Sequence, residues 1–184
     1  MKVEERNKKA KIILKELNKL YPKTPSPLTH TNNFTLLISV LLSAQCTDLN
    51  VNNVTNDIYP QYNKPEHFIK LGQKKIERLI KRIGLFRMKS KSVYKLSKIL
   101  VEKYEGKVPR TFEELEALPG VGHKTASVVM SQGFGFPAFP VDTHIHRLAQ
   151  RWGLTNGKNV VQTEKDLKKL FPKKHWNKLH LQII

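Results

Sequence analysis

The chain has 184 residues, enough for one sizeable domain or two smaller lobes, and its 39% hydrophobic content allows a packed core. Thirty-three Lys and Arg against fifteen Asp and Glu leave a formal charge of +18 (33 − 15), a field that suits a polyanionic partner, either nucleic acid or an anionic membrane surface. One cysteine, Cys46, excludes an intrachain disulfide and a cysteine-rich zinc site. No run approaches the roughly 18 apolar residues of a membrane helix, and the charged start, Met1 to Lys11, leads into no signal-peptide core. The expectation is a soluble, cytoplasmic protein.

Helical spacing recurs along the chain and strand-like alternation is scarce. Residues 3–20 place Ile13, Leu17 and Leu20 on one stripe among lysines, and the proline-rich stretch Tyr21 to Leu28 reads as a loop. Phe34, Leu37, Ile38, Leu41 and Leu42 mark the most apolar helix, expected to be buried on most sides. Asp48 is the expected N-cap of a helix reaching Ile58. Short helices follow near Pro65–Leu71 and Lys74–Ile83, and a longer one near Lys89–Tyr104. Thr111-Phe-Glu-Glu114 has the form of a capping box, in which threonine caps the Glu114 amide and glutamate reaches back to the Thr111 N–H. The helix it opens stops at Pro119-Gly120, and the next starts by Gly122 to Lys124 and runs to about Gln132. Gly133 to Pro140 is a loop, Asp142 stands at a helix start, and helices near Gln162–Leu170 and Lys174–Ile184 complete the chain. The expected fold is all-α, about ten short helices in two lobes around a cleft, with no internal repeat.

The charge is unevenly placed. Lys64 to Lys103 holds thirteen basic and three acidic residues, whereas Tyr104 to Val141 holds three basic and four acidic. A nearly neutral stretch beside a basic one suits chemistry done next to surfaces that hold phosphates. That stretch contains Leu118-Pro-Gly-Val-Gly-His-Lys124. Proline ends one helix; Gly120 and Gly122 permit left-handed or crowded backbone and bare the first amides of the next helix, which together with the helix dipole make an anion site for a DNA phosphate.

This segment, followed by Val141-Asp-Thr-His-Ile145, resembles the helix-hairpin-helix DNA glycosylases, and specifically their endonuclease III branch. Lys124 and Asp142 stand 18 residues apart (142 − 124), and Leu41-Leu-Ser-Ala-Gln45 and Ile83-Gly-Leu-Phe86 add further matches, so the likeness runs from about Phe34 to the C-terminus. The resemblance implies a lobe of residues 31–141 carrying the hairpin at about 112–132, and a second lobe of residues 1–30 and 142–184. It also implies base-excision repair: a bifunctional glycosylase/lyase acting as a monomer on duplex DNA with oxidised pyrimidines or abasic sites, associated with the nucleoid.

The chemistry demands these residue types. Cutting a glycosidic bond and then the strand needs an amine that attacks the anomeric carbon and becomes a Schiff base; Lys124 is the expected nucleophile, made neutral by desolvation or neighbouring positive charge. A carboxylate must stabilise charge developing on the sugar and manage protons, the role expected of Asp142. A lone lysine on a helix is ordinarily solvated surface and a lone aspartate at a helix start ordinarily a cap; their shared register in the motif reverses that reading. By resemblance, Gln45 fills the gap left by a flipped base and Leu85 wedges the duplex from the other side, against the plainer readings of a helix-end polar residue and a core leucine. His144 matches the Asp-Thr-His motif and is expected to line the cleft with DNA; His144 and His146, two apart on a helix, are not a metal pair. Cys46 reads as a small buried hydrophobe.

One departure stands out. Relatives in this branch continue to Gly-Arg and four cysteines that hold a 4Fe-4S cluster, whereas this chain stops at His180-Leu-Gln-Ile-Ile184. It therefore binds no cofactor and no metal as it stands; a cluster is expected only if the natural protein continues past Ile184. Two other functions share these residues: a glycosylase for T or U mispaired with G, and a non-catalytic helix-hairpin-helix DNA-binding module. The module has no use for a Lys124–Asp142 pair.

Overall fold

The computed structural model describes residues 3–184; residues 1 and 2 of the expected 1–30 segment lie outside it. Every regular element among the described residues is helical. In chain order they are α1 (Val3–Leu20), α2 (Asn33–Ser43), α3 (Asp48–Ile58), α4 (Pro65–Leu71), α5 (Gln73–Leu79), α6 (Phe86–Tyr104), α7 (Phe112–Glu116), α8 (His123–Val128), α9 (Thr143–Arg151), α10 (Val160–Leu170) and α11 (Trp176–Ile183). A π-helical turn (Val129–Gly133) extends α8, and a 3-10 turn (Lys173–His175) precedes α11. The helices fall into two compact units: Pro27–Phe134, and the two ends of the chain, up to Ser26 and from Gly135 to Ile184.

The first unit is built on α2. Nine of its eleven residues are buried, Leu36 and Leu37 completely, and each such leucine contributes about 1.5–3 kcal/mol relative to exposure. A reciprocal cap opens it: the Asn32 carboxamide oxygen accepts the Thr35 N–H at 2.9 Å, and the Thr35 hydroxyl accepts the Asn32 N–H at 3.0 Å. Helices α3, α6 and α8 pack around α2, and α4 and α5 pack on α6. The expected N-cap of α3 moves by one residue, because Thr47 Oγ1 accepts the Asn50 N–H at 3.3 Å and Asp48 is the first residue inside the helix. At α7, Thr111 Oγ1 accepts the Glu114 N–H at 3.3 Å, but its hydroxyl also donates to the Glu114 carboxylate at 2.7 Å. The glutamate therefore meets the threonine side chain where the capping-box reading had it reach the Thr111 N–H.

The second unit has its own core: Ala10 and Leu17 of α1, Phe139 and Val141 of the segment before α9, Ile145, Ala149, Leu167, Phe171 and, from α11, Leu179 and Ile183. Residues 135–141, expected with the hairpin lobe, pack here because Phe139 is wholly buried and its ring lies 6.3 Å from that of Phe171. Helix α11 makes the polar ties. Gln182 Nε2 donates to the Leu17 and Tyr21 carbonyls at 3.1 and 2.9 Å, meeting acceptors that α1 leaves at its C-terminal end. Asn177 Oδ1 accepts the Ala138 N–H at 2.9 Å, and the buried His180 donates from Nδ1 to the Pro140 carbonyl at 2.9 Å.

Candidate functional site

The hairpin forms where the motif put it, between α7 and α8. Gly120 has φ 79°, and a Cβ there would lie 2.9 Å from the Ser92 side chain and 3.1 Å from Leu41 Cδ1. Two constraints thus demand glycine: a left-handed backbone and the close approach of α6 and α2. Gly122 differs from expectation. Its φ is −97°, in the extended region, and a Cβ there would meet nothing within 4 Å. What Gly122 gives is bare backbone at the N-cap of α8, with no side chain capping the first amides. His123 braces the turn: its ring stacks on Phe112 at 5.6 Å and Nδ1 lies 2.7 Å from Glu116 Oε1.

Lys124 is the second residue of α8 and is exposed, whereas Ala126, Ser127 and Val128 behind it are buried. Those three residues anchor the helix and leave the lysine standing out from it.

Asp142 stands in the second unit as the N-cap of α9, half-buried, its Oδ1 accepting the Ile145 N–H at 2.9 Å. The preceding segment is fixed by the Asn177 and His180 bonds to Ala138 and Pro140, so the carboxylate is held from both sides of its own residue. His144 is exposed. Its Nδ1 accepts from the Arg147 guanidinium at 3.1 Å, which puts the proton of the neutral ring on Nε2. His146 takes a different partner, the Thr163 hydroxyl of α10 at 2.8 Å, and the two histidines share no ligand geometry.

Gln45 and Leu85 are brought together. Gln45 follows α2 with φ 54° and is exposed; Leu85 precedes α6 with φ 58° and is 49% exposed, which removes the core-leucine reading. Left-handed backbone is costly for both residue types, on the order of 1–3 kcal/mol each, and persists only where surrounding structure imposes it. Gly84 lies against the Gln45 carbonyl, 3.5 Å from where its Cβ would be. The Asn50 carboxamide donates to the Arg82 carbonyl at 3.0 Å and to Cys46 Sγ at 3.3 Å, linking the two loops. Cys46 is half-buried and not fully interior. Beside Leu85, Met88 is 61% exposed, so the tip presents two apolar side chains flanked by Arg87.

Of the thirteen basic residues from Lys64 to Lys103, twelve are exposed or half-exposed. The exception is Lys89, 5% exposed, whose Nζ donates to the Leu42 and Ala44 carbonyls at 2.9 and 2.6 Å. Burial pushes its ammonium below the usual lysine range, with the nearby Cys46 thiol acting the other way. Sequence reasoning passed over Lys89 as one cation among many. The available signal was its place on the buried stripe of α6 with Val93, Leu96 and Leu100.

Among the described residues no three of His, Cys, Asp or Glu gather as metal ligands, and Cys46 is the lone cysteine. These residues do not supply the four thiolates that an iron-sulfur cluster needs.

Comparison with known proteins agrees with the motifs. A family model described as HhH-GPD superfamily base excision DNA repair protein matches residues 38–173. Endonuclease III of Bacillus subtilis (strain 168) is 42% identical over 178 residues, which are 96% of this chain and 81% of that protein. Endonuclease III of Escherichia coli (strain K12) is 44% identical over 176 residues, 91% of this chain and 83% of that protein. A solved structure of a trapped endonuclease III–DNA covalent intermediate matches with a TM-score of 0.93 at 42% identity, covering 97% of this chain and 84% of that one. Agreement of sequence and backbone over nearly the whole chain settles its membership: it belongs to the endonuclease III family of the HhH-GPD superfamily of base excision DNA repair proteins.

Proposed function

We propose that this chain is a bifunctional DNA glycosylase/lyase that removes oxidised pyrimidines from duplex DNA, with Lys124 as nucleophile and Asp142 as the essential carboxylate. Base-excision repair by glycosylase and lyase chemistry follows from the family; the residue roles and the lesion class are the proposed part. The observation that carries the roles is an exposed lysine standing directly after the bare-backbone turn of the hairpin, in a chain whose relative has been trapped covalently on DNA.

In this mechanism the neutral Lys124 amine forms a bond to C1′ as the glycosidic C–N bond breaks, and the base leaves with the bonding electrons and is protonated. The sugar ring then opens: the C1′–O4′ bond breaks, O4′ takes a proton, and a protonated Schiff base remains. Loss of a C2′ proton expels the 3′ phosphate by β-elimination. Asp142 offsets positive charge on the sugar and moves protons between amine and base. Hairpin amides at Gly120 and Gly122 hold a phosphate, Gln45 and Leu85 enter the opened stack, and His144 contacts the DNA. The protein acts as a monomer on nucleoid DNA in the cytoplasm.

Borohydride should trap a protein–DNA adduct on duplexes carrying an abasic site or an oxidised pyrimidine, because reduction of a Schiff base makes it permanent. A panel with thymine and uracil opposite guanine decides the lesion class. Adducts only with mispairs would replace the oxidised-pyrimidine reading, and binding without any adduct would reduce the chain to a DNA-binding module.

Affinity should fall steeply with salt, since the exposed lysines and arginines of α4 to α6 release counterions from the DNA backbone. Replacing Lys81, Arg87 and Lys91 by alanine should flatten the slope of log K against log salt by about 0.9 for each phosphate left without its cation. A slope unmoved by the triple substitution would mean that another surface holds the duplex.

A further inference from the structure

Lys89 is the buried cation that the mechanism leaves unused. No carboxylate accompanies it among the described residues; its partners are two carbonyls at the C-terminal end of α2, the negative end of a helix dipole. An ammonium withdrawn from water without an ion pair is expensive, and an apolar residue of equal length would fill the same space without that cost. Packing therefore does not account for it, whereas its connections do. The Lys89 backbone N–H bonds the Leu85 carbonyl at 3.0 Å, while its side chain grips the carbonyl of Ala44, the residue before Gln45. One residue thus reaches both left-handed tips. Asn50 makes the second crossing, from α3 to the Arg82 carbonyl ahead of Gly84 and Leu85.

We propose that Lys89, assisted by Asn50, is a positioning residue that holds the Gln45 and Leu85 tips at one fixed spacing, so that both enter a duplex together without being ordered by it. This rests on the reading of those two tips as the side chains that enter the stack. Neither Lys89 nor Asn50 touches DNA or the reacting atoms in this account. The clamp acts by removing the freedom of two short loops before binding, which lowers the ordering cost of base extrusion.

The test uses the full chain and a duplex with 2-aminopurine opposite an uncleavable tetrahydrofuran abasic analogue, with bound fraction followed separately by anisotropy. Wild type at saturation should raise the fluorescence as the stack opens. Lys89→Met keeps the length and removes the donors. At saturation its fluorescence rise should fall about twofold or more, and single-turnover cleavage of an abasic duplex about tenfold, as small misplacements near a reacting centre do. A purely structural residue would lower the melting temperature and leave the saturated amplitude intact, and that result from a folded Lys89→Met overturns the proposal. If Lys89→Met does not melt cooperatively, Asn50→Ala decides: a reduced amplitude supports the clamp and a full one overturns it. Gln45→Ala and Leu85→Ala separate the two levels. Full amplitude from both means the tips do not enter the stack, so the underlying reading fails; lost amplitude there with full amplitude in Lys89→Met means that only the clamp fails.

Discussion

Lys124→Gln abolishes borohydride trapping and lowers strand cleavage at an abasic site by about a thousandfold or more, while duplex affinity stays close to that of the wild type. The size follows from the step removed. Glutamine has no basic amine, so no bond to C1′ and no Schiff base can form, and loss of a covalent nucleophile is not recovered by the rest of a site. Affinity is spared because binding is spread over many exposed cations and hairpin amides, of which Lys124 is one. The fold is spared because Lys124 is exposed and the side chains that seat α8, Ala126 and Val128 among them, are unchanged. Quantitative trapping assays with single-turnover kinetics make the measurement. Undiminished cleavage by the variant would take the nucleophile's role from Lys124 and send the search to other amines.

Asp142→Asn is the second large effect, and it separates the observed cap of α9 from the proposed role of the carboxylate. As N-cap of α9, Asp142 accepts the Ile145 N–H, and asparagine does this about as well, whereas alanine would cost about 1 kcal/mol. For a chain of this length that cost moves the melting temperature by about 2–4 °C. Asp142→Ala should show the drop and Asp142→Asn should melt near wild type. Excision is another matter, because asparagine carries no charge to place against a cationic sugar and takes up no proton. Removal of one preorganised electrostatic group costs about 10²–10³ in rate. The asparagine variant should therefore bind damaged duplex normally and excise the base more slowly than wild type by about that factor. Cleavage at a preformed abasic site should suffer less, since the base is already gone. Near-normal excision by Asp142→Asn would leave Asp142 a cap alone.

The frame of the protein could be read from its residues because its signals were local and redundant. The apolar run of α2 survives any ambiguity of capping, and Pro119-Gly120 breaks a helix whatever surrounds it. Neighbouring alternatives blurred the finer points: Thr47 and Asp48 are both good N-caps, and the extended backbone of Thr47 with its bond from the Asn50 N–H selects it. The candidate site divides in the same way. Lys124 and Asp142 lie in motifs a few residues long, so their elements were legible. The exposure of Lys124 was not, because small neighbours in sequence turned out to lie behind it in space. Lys89 was hidden for a related reason. Its place on the buried stripe of α6 signals burial, but its partners are 45 and 47 residues away, and no local pattern names those carbonyls.

With Gln45 and Leu85 in the proposed role of entering the duplex, their left-handed backbones set thermal endurance against repair. Selection for heat resistance alone would place glycine at both positions, since glycine adopts those angles without penalty and each replacement would relieve a local conflict between residue type and conformation. It would also delete the two side chains that these positions present. Among the described residues Glu105 is the third non-glycine with left-handed backbone, and it closes a helix, so a lineage adapting to higher temperature could gain there while leaving Gln45 and Leu85 in place.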